Sequence, residues 1–178
     1  MADALGKITI FFLGAILLFI VPMTIIAVNQ DKTKQTYIDD AAVEFVDNAR
    51  AGGEISVQAY KTLTKRIDSA HSLCDIQIRY LSTYEYPVPV YDATHTITGY
   101  TYERHTQEYS KSDITGYMFP NGGSETRSFP LREGGYLSVE VRNVTPTLGG
   151  QMLGLFVPGY SGKSLHTSYG GYVGNNKQ

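Results

Sequence analysis

The periodicity of apolar positions changes along the chain, and each regime predicts a different element. Residues 8–28 read ITIFFLGAILLFIVPMTIIAV, 21 residues without a charge. At about 1.5 Å per residue this run spans the roughly 30 Å of a bilayer's hydrocarbon. Fourteen of the 21 are Leu, Ile, Phe or Val, which favours insertion by several kcal/mol at about −0.3 to −0.6 each. Pro22 frees a carbonyl inside the run and predicts a kink that membrane spans tolerate. A cleaved signal peptide would also place Lys7 before an apolar run and a small residue, Ala27, at a cleavage point. Its apolar region, however, holds only about 7 to 15 residues, and Ile25 is poorly suited to the small position before the cut.

Beyond a polar junction at residues 29–33 the period becomes 3.6. Ile38, Ala41, Ala42, Phe45, Val46 and Ala49 share one face, with Asp39, Asp40, Glu44 and Asp47 opposite as a solvated face, and Gly52-Gly53 predicts the end. This helix can run on from the span as one rod. Ser56 caps a second helix with a stripe of Val57, Tyr60, Leu63, Ile67 and Ala70. The period then drops to two: Ile76, Ile78 and Tyr80 alternate with Gln77 and Arg79, and Leu137, Val139 and Val141 alternate with Ser138, Glu140 and Arg142. A third strand is expected over 97–109, a long loop over 111–132, a short helix capped by Thr145-Pro146 and stopping at Pro158-Gly159, and an edge strand over 164–172. The order predicts an α+β fold: an N-terminal transmembrane helix continuing into amphipathic helices packed on a mainly antiparallel sheet. The expected divisions are a tail and membrane anchor over 1–30, an amphipathic helical segment over 31–72, and the β-rich part of the same exterior domain over 73–178.

Composition narrows the function. Fifteen Lys and Arg against 17 Asp and Glu give a net charge of −2, no basic excess for a phosphate backbone, so nucleic acid is not an expected partner. The single cysteine, Cys74, excludes an internal disulfide and a multi-cysteine metal cage. Gly159-Tyr160-Ser161-Gly162-Lys163-Ser164 has the end of a phosphate loop, but Val157 stands where its leading glycine belongs. His71 and Cys74 lack a second pair of ligands, and His95, His105 and His166 fall in separate contexts with no Gly-x-Ser-x-Gly or His-Glu-x-x-His motif beside them. No catalytic residue, cofactor site or metal site is expected. Asn143-Val144-Thr145 matches a glycosylation sequon, a triplet frequent by chance. The Tyr-rich loops supply rigid amphipathic side chains suited to protein contacts, with Tyr100, Tyr102 and Tyr117 the candidate exterior contacts.

This layout resembles pilins and pseudopilins. Asn29-Gln30-Asp31 after the span, Phe45-Val46-Asp47 with Arg50, Arg66-Ile67-Asp68-Ser69 and the closing Tyr169-Gly170-Gly171-Tyr172-Val173 are similar to an uncharacterised group of Gram-positive bacterial membrane proteins. That group is similar to the TadE-like minor pseudopilins of tight-adherence pili and is associated with conjugative elements. The resemblance implies a noncatalytic structural or assembly component of a surface pilus or a secretion or conjugation apparatus. Its partners would be the lipid bilayer and other pilin-like or assembly-platform membrane proteins, copies of itself included. The cell membrane would hold it as a single-pass protein with the C-terminal domain outside, an orientation in keeping with the six-residue head before Lys7 but not decided by the flanking charges. Gly14, Ala15 and Pro22 would allow close helix packing in the membrane. One departure stands out: pilins are processed after a glycine with a glutamate five residues on, whereas Phe11 follows Gly6 and Phe19 follows Gly14 at that distance. This favours a minor subunit, a tip or initiation component, or a platform protein. A membrane-tethered binding or adhesion module is the alternative, and a tethered hydrolase would require His105 or His166 beside a serine and a carboxylate in one pocket.

Overall fold

A computed structural model describes residues 2–70, 73–123, 126–157 and 164–174; His71 and residues 158–163, including most of the phosphate-loop look-alike, lie outside them. Helix α1, Ala2–Gly52, is one element of 51 residues, about 76 Å long, and crosses residues 30–31 and the polar junction without a break. It contains a window long and apolar enough to cross a membrane. Its first part stands bare, with Phe11, Leu18 and Phe19 at 70–75% exposure. Its second part carries the expected stripe from Ile38 to Ala49, all buried. Gly53 takes the positive φ of 67° that ends a helix at least expense with glycine.

A two-residue strand, β1 (Glu54–Ile55), leads into α2 (Val57–Ser69), whose cap Ser56 accepts a hydrogen bond from the Ala59 N–H. The main sheet contains β2 (Cys74–Tyr91), β3 (Ile97–Tyr109), β5 (Tyr136–Asn143) and β6 (His166–Tyr172) in the order β3-β2-β5-β6, antiparallel throughout. Ile76, Ile78, Tyr80, Leu137, Val139 and Val141 face α1 and α2 and complete the core. β6 rises beside α1 in the same direction: Gln35 bonds both backbone groups of His166, and Arg50 donates to the Tyr172 carbonyl. Asp39 accepts from Thr167, and Asp47 from Tyr169 and Arg50. Half of the acidic face expected in solvent is therefore a polar seam against β6, which also covers that edge strand.

Three expectations need correction. The stretch 111–132 is not a loop: it holds α3 (Lys111–Met118), a 3₁₀ turn and β4 (Phe129–Pro130), which pairs with β1. Ser110 and Asp113 form a reciprocal capping box, and Ile114 and Met118, one turn apart, are fully buried. Helix α4 (Leu148–Gly154) is capped by Thr147 rather than Thr145. Tyr84, Tyr86 and Tyr91 lie on β2, not in loops, whereas Tyr100, Tyr102 and Tyr109 lie on β3, the strand expected over 97–109.

Candidate interaction surface

β2 is 18 residues long, but β5 pairs with it only from Cys74 to Leu81. Its remainder pairs with β3 alone, from Ser82↔Gln107 to Tyr91↔Ile97. The result is a two-stranded arm projecting past the sheet from the end opposite the apolar run. Ten residues beyond Leu81 extend it about 33 Å. β3 shows no buried position along its length.

The register assigns the arm's faces. Tyr84 and Tyr86 share one face with His105, which lies 5.4 and 6.5 Å from their rings, and Arg132 from the domain stacks over Tyr84 at 5.4 Å. The Tyr86 hydroxyl donates to Glu103 at 3.0 Å, and that bond and the Glu103 charge raise its pKa. On the other face, Arg104 pairs with Glu85 at 3.0 Å near the base. Above them Tyr102 stands opposite Pro87, and Tyr100 opposite Pro89. Tyr100 and Tyr102 are 61% and 69% exposed, so the described residues of the domain leave these two tyrosines of the Tyr/Pro patch uncovered. At the tip the Asp92 carboxylate accepts from the Thr94 and Thr96 N–H groups and the Thr94 hydroxyl, which lowers its pKa and fixes a turn in which His95 has φ 58°.

The prolines also set the arm's polarity. A proline has no N–H, so Pro87↔Tyr102 and Pro89↔Tyr100 can only be non-hydrogen-bonded pairs. The ladder bonds then fall on Tyr86↔Glu103 and Val88↔Thr101. Pro87 and Pro89 therefore remove donors from the edge that β5 leaves open, the placement in which an edge strand accepts proline. By the same alternation Tyr100, Tyr102, Arg104, Thr106 and Glu108 turn their backbone N–H and C=O groups to the outer edge of β3, the sheet's terminal strand.

Sequence-predicted candidates scatter otherwise. Tyr117 sits on α3, edge-on to Phe129 at 5.4 Å, and belongs to a different surface from Tyr100 and Tyr102. Gly14 meets nothing within 4 Å; it, Ala15 and Pro22 lie on the bare part of α1. Burial, then the Asp68 charge, raises the Cys74 pKa. His166 contacts Glu140 at 3.1 Å on the open outer face of the sheet, and His105 is on the arm. Asn143 of the sequon is buried with its amide donating to the Thr145 carbonyl. A cleft of about 290 Å³ between α1 and α4 is lined by Val28, Asp31, Lys32, Gln35, Thr147 and Leu165 among others, with no histidine or cysteine among them. Among the described residues no group of three or more His, Cys, Asp or Glu gathers to hold a metal. The sequence did not single out Pro87 and Pro89, whose alternation with Val88 and Val90 was the available signal. The chain matches no protein-family model, no curated protein and no solved structure.

Proposed function

We propose that this protein is a noncatalytic, single-pass membrane subunit of a surface pilus or of a secretion or conjugation apparatus, with its domain outside the cell and its arm as the docking element. The observation that carries this reading is the arm. A lone two-stranded ribbon is marginal in water, and this one exposes both faces, an open backbone edge and a Tyr/Pro patch, features suited to a partner strand or surface. The anchor is supported by the large apolar side chains that α1 leaves uncovered, which water would disfavour at about 25 cal/mol per Å². It is supported also by Ala27, 3% exposed within an unbroken helix, an unsuitable place for signal cleavage. A long helix, bare below and packed on a sheet above, is the layout that suggested a pilin-like subunit, and the acid-free span favours a minor or platform role.

The test is to shear surface appendages from cells expressing the chain and to probe sheared and membrane fractions. Recovery with the appendages is expected, and the double substitution Tyr100→Ser/Tyr102→Ser should reduce it while leaving the chain in the membrane. Retention of the unaltered chain in the membrane alone would overturn the filament-associated role and favour a platform protein or the tethered binding module, for which the same patch would be a ligand surface.

A further inference from the structure

The end of the domain nearest the apolar run is itself apolar. β2 begins there, β5 ends there and β6 begins there, and the β5–β6 connection carries α4. Residues 144–157, VTPTLGGQMLGLFV, contain no charge. Leu155 is 78% exposed, and Val144, Leu148, Phe156 and Val157 are each about half exposed or more, as is Leu73, whose carbonyl accepts from the Val144 N–H. These side chains are turned outward around the point where α1 leaves the domain.

The level of this patch is fixed by α1. Gly149 rests against it so closely that a Cβ would lie 2.9 Å from the Val28 backbone nitrogen and 2.5 Å from an Asp31 carboxylate oxygen. Val28 is the last residue of the apolar run. Below it Ala27 and Thr24 are buried, and the Thr24 hydroxyl is satisfied inside the helix by the Ile20 carbonyl at 2.8 Å. The domain thus covers one side of α1 down to Thr24, four positions below Val28 or about 6 Å, within the roughly 5–10 Å to which apolar faces sink at a headgroup boundary.

We propose that the α4 base is a second membrane contact: Leu148, Leu155, Phe156 and Val157, with Leu73 and Val144, enter the headgroup and upper acyl region of the same bilayer leaflet from which α1 emerges. The proposal rests on the reading of α1 as the anchor. Lipid is the occupant because a helix crossing the bilayer at 8–28 holds this uncharged patch at the lipid surface whatever else is present. The two contacts together hold the domain at one tilt, with the arm directed away from the bilayer.

The chain has no tryptophan, so a single introduced one is an unambiguous probe. The full chain in phosphatidylcholine/phosphatidylglycerol vesicles, or with brominated lipid of the same headgroups, carries Leu155→Trp, Phe156→Trp, Phe19→Trp in the span or Tyr102→Trp on the arm. Brominated lipid should quench at 155 and 156 as well as at 19, and acrylamide quenching there should be at least about threefold weaker than at 102. Acrylamide quenching at 155 and 156 equal to that at 102 would overturn the membrane contact. Shielding of both from acrylamide and bromine alike would overturn it in favour of a protein cover. Failure of bromine to quench at 19 would instead remove the anchor on which it rests.

Discussion

Tyr80 and Tyr102 lie on adjacent strands of one sheet, and the structure assigns them opposite weight. Tyr80 is 1% exposed; its ring stacks on Tyr109 at 5.9 Å and meets Phe129 edge-on at 6.0 Å. Its hydroxyl accepts the Arg132 N–H at 2.6 Å and donates to the Arg132 carbonyl at 3.3 Å, tying β2 to the segment after β4. Tyr80→Phe keeps the ring and removes the partner of the Arg132 N–H, on an exposed residue that water can reach, while the Arg132 carbonyl keeps its bond from the Gly135 N–H, so the loss falls at the low end of the usual range, about 1 kcal/mol. Tyr80→Ala removes the ring from the centre of an aromatic cluster and should cost about 3–5 kcal/mol. Tyr102→Ala should stay within about 0.5 kcal/mol. The assay is a urea series on the full chain in lipid nanodiscs, scored by a short protease pulse that removes unfolded domain, a readout that does not depend on tyrosine as chromophore. Tyr80→Phe as damaging as Tyr80→Ala would refute the separation of ring from hydroxyl. A loss above about 1 kcal/mol for Tyr102→Ala would refute an arm outside the cooperative core.

Gly149→Ala must push α4 off the α1 backbone and should destabilise by about 1–3 kcal/mol, seen as faster amide exchange in α4, whereas Gly14→Ala, with open space around it, should not. The Glu140 carboxyl is held below its ordinary pKa by hydrogen bonds first from Arg142 and then from His166. Its stabilisation is therefore complete above the ordinary carboxylate value and is lost as pH falls through the lower folded value. The stability advantage over Glu140→Gln, measured by urea midpoint, should shrink as pH falls below about 5. Pro87→Thr/Pro89→Thr returns two donors to the open edge of β2 and should raise self-association in sedimentation, with no change refuting their edge-blocking role.

The elements legible in the sequence are those whose period is enforced by a single buried face. The stripe from Ile38 to Ala49 and the alternations at 76–80 and 137–141 appear where expected because α1 and the sheet bury each other. α3 escaped because only Ile114 and Met118 reach the core, two apolar positions among turn formers, although Ser110 and Asp113 spell out its cap. Strand β3 of the arm lies where a strand was expected over 97–109, but the extension of β2 past Leu81 escaped for a different reason. Pro87 and Pro89 read as breakers when hydrogen bonding is assumed on both edges of a strand, and nothing local reveals that one edge has no neighbour. Composition alone could not separate Tyr80, inside the fold, from Tyr102, outside it.

The arm's length turns position into selectivity. Leu81 is level with Tyr136, Tyr172 and Arg50 through the sheet register and the Arg50 bond, about 33 Å along α1 from Val28. A collinear arm would add about the same again. On the proposed anchor, its tip would lie in a thin shell parallel to the bilayer, tens of ångströms out, rather than a volume. A partner presented at that height meets the tip at a high local concentration through lateral diffusion alone, while one lying flat on the bilayer or floating beyond the shell is not reached. Shortening the arm in two-residue steps would keep the faces in phase and lower that height by about 7 Å each time, converting a recognition surface into a measure of distance.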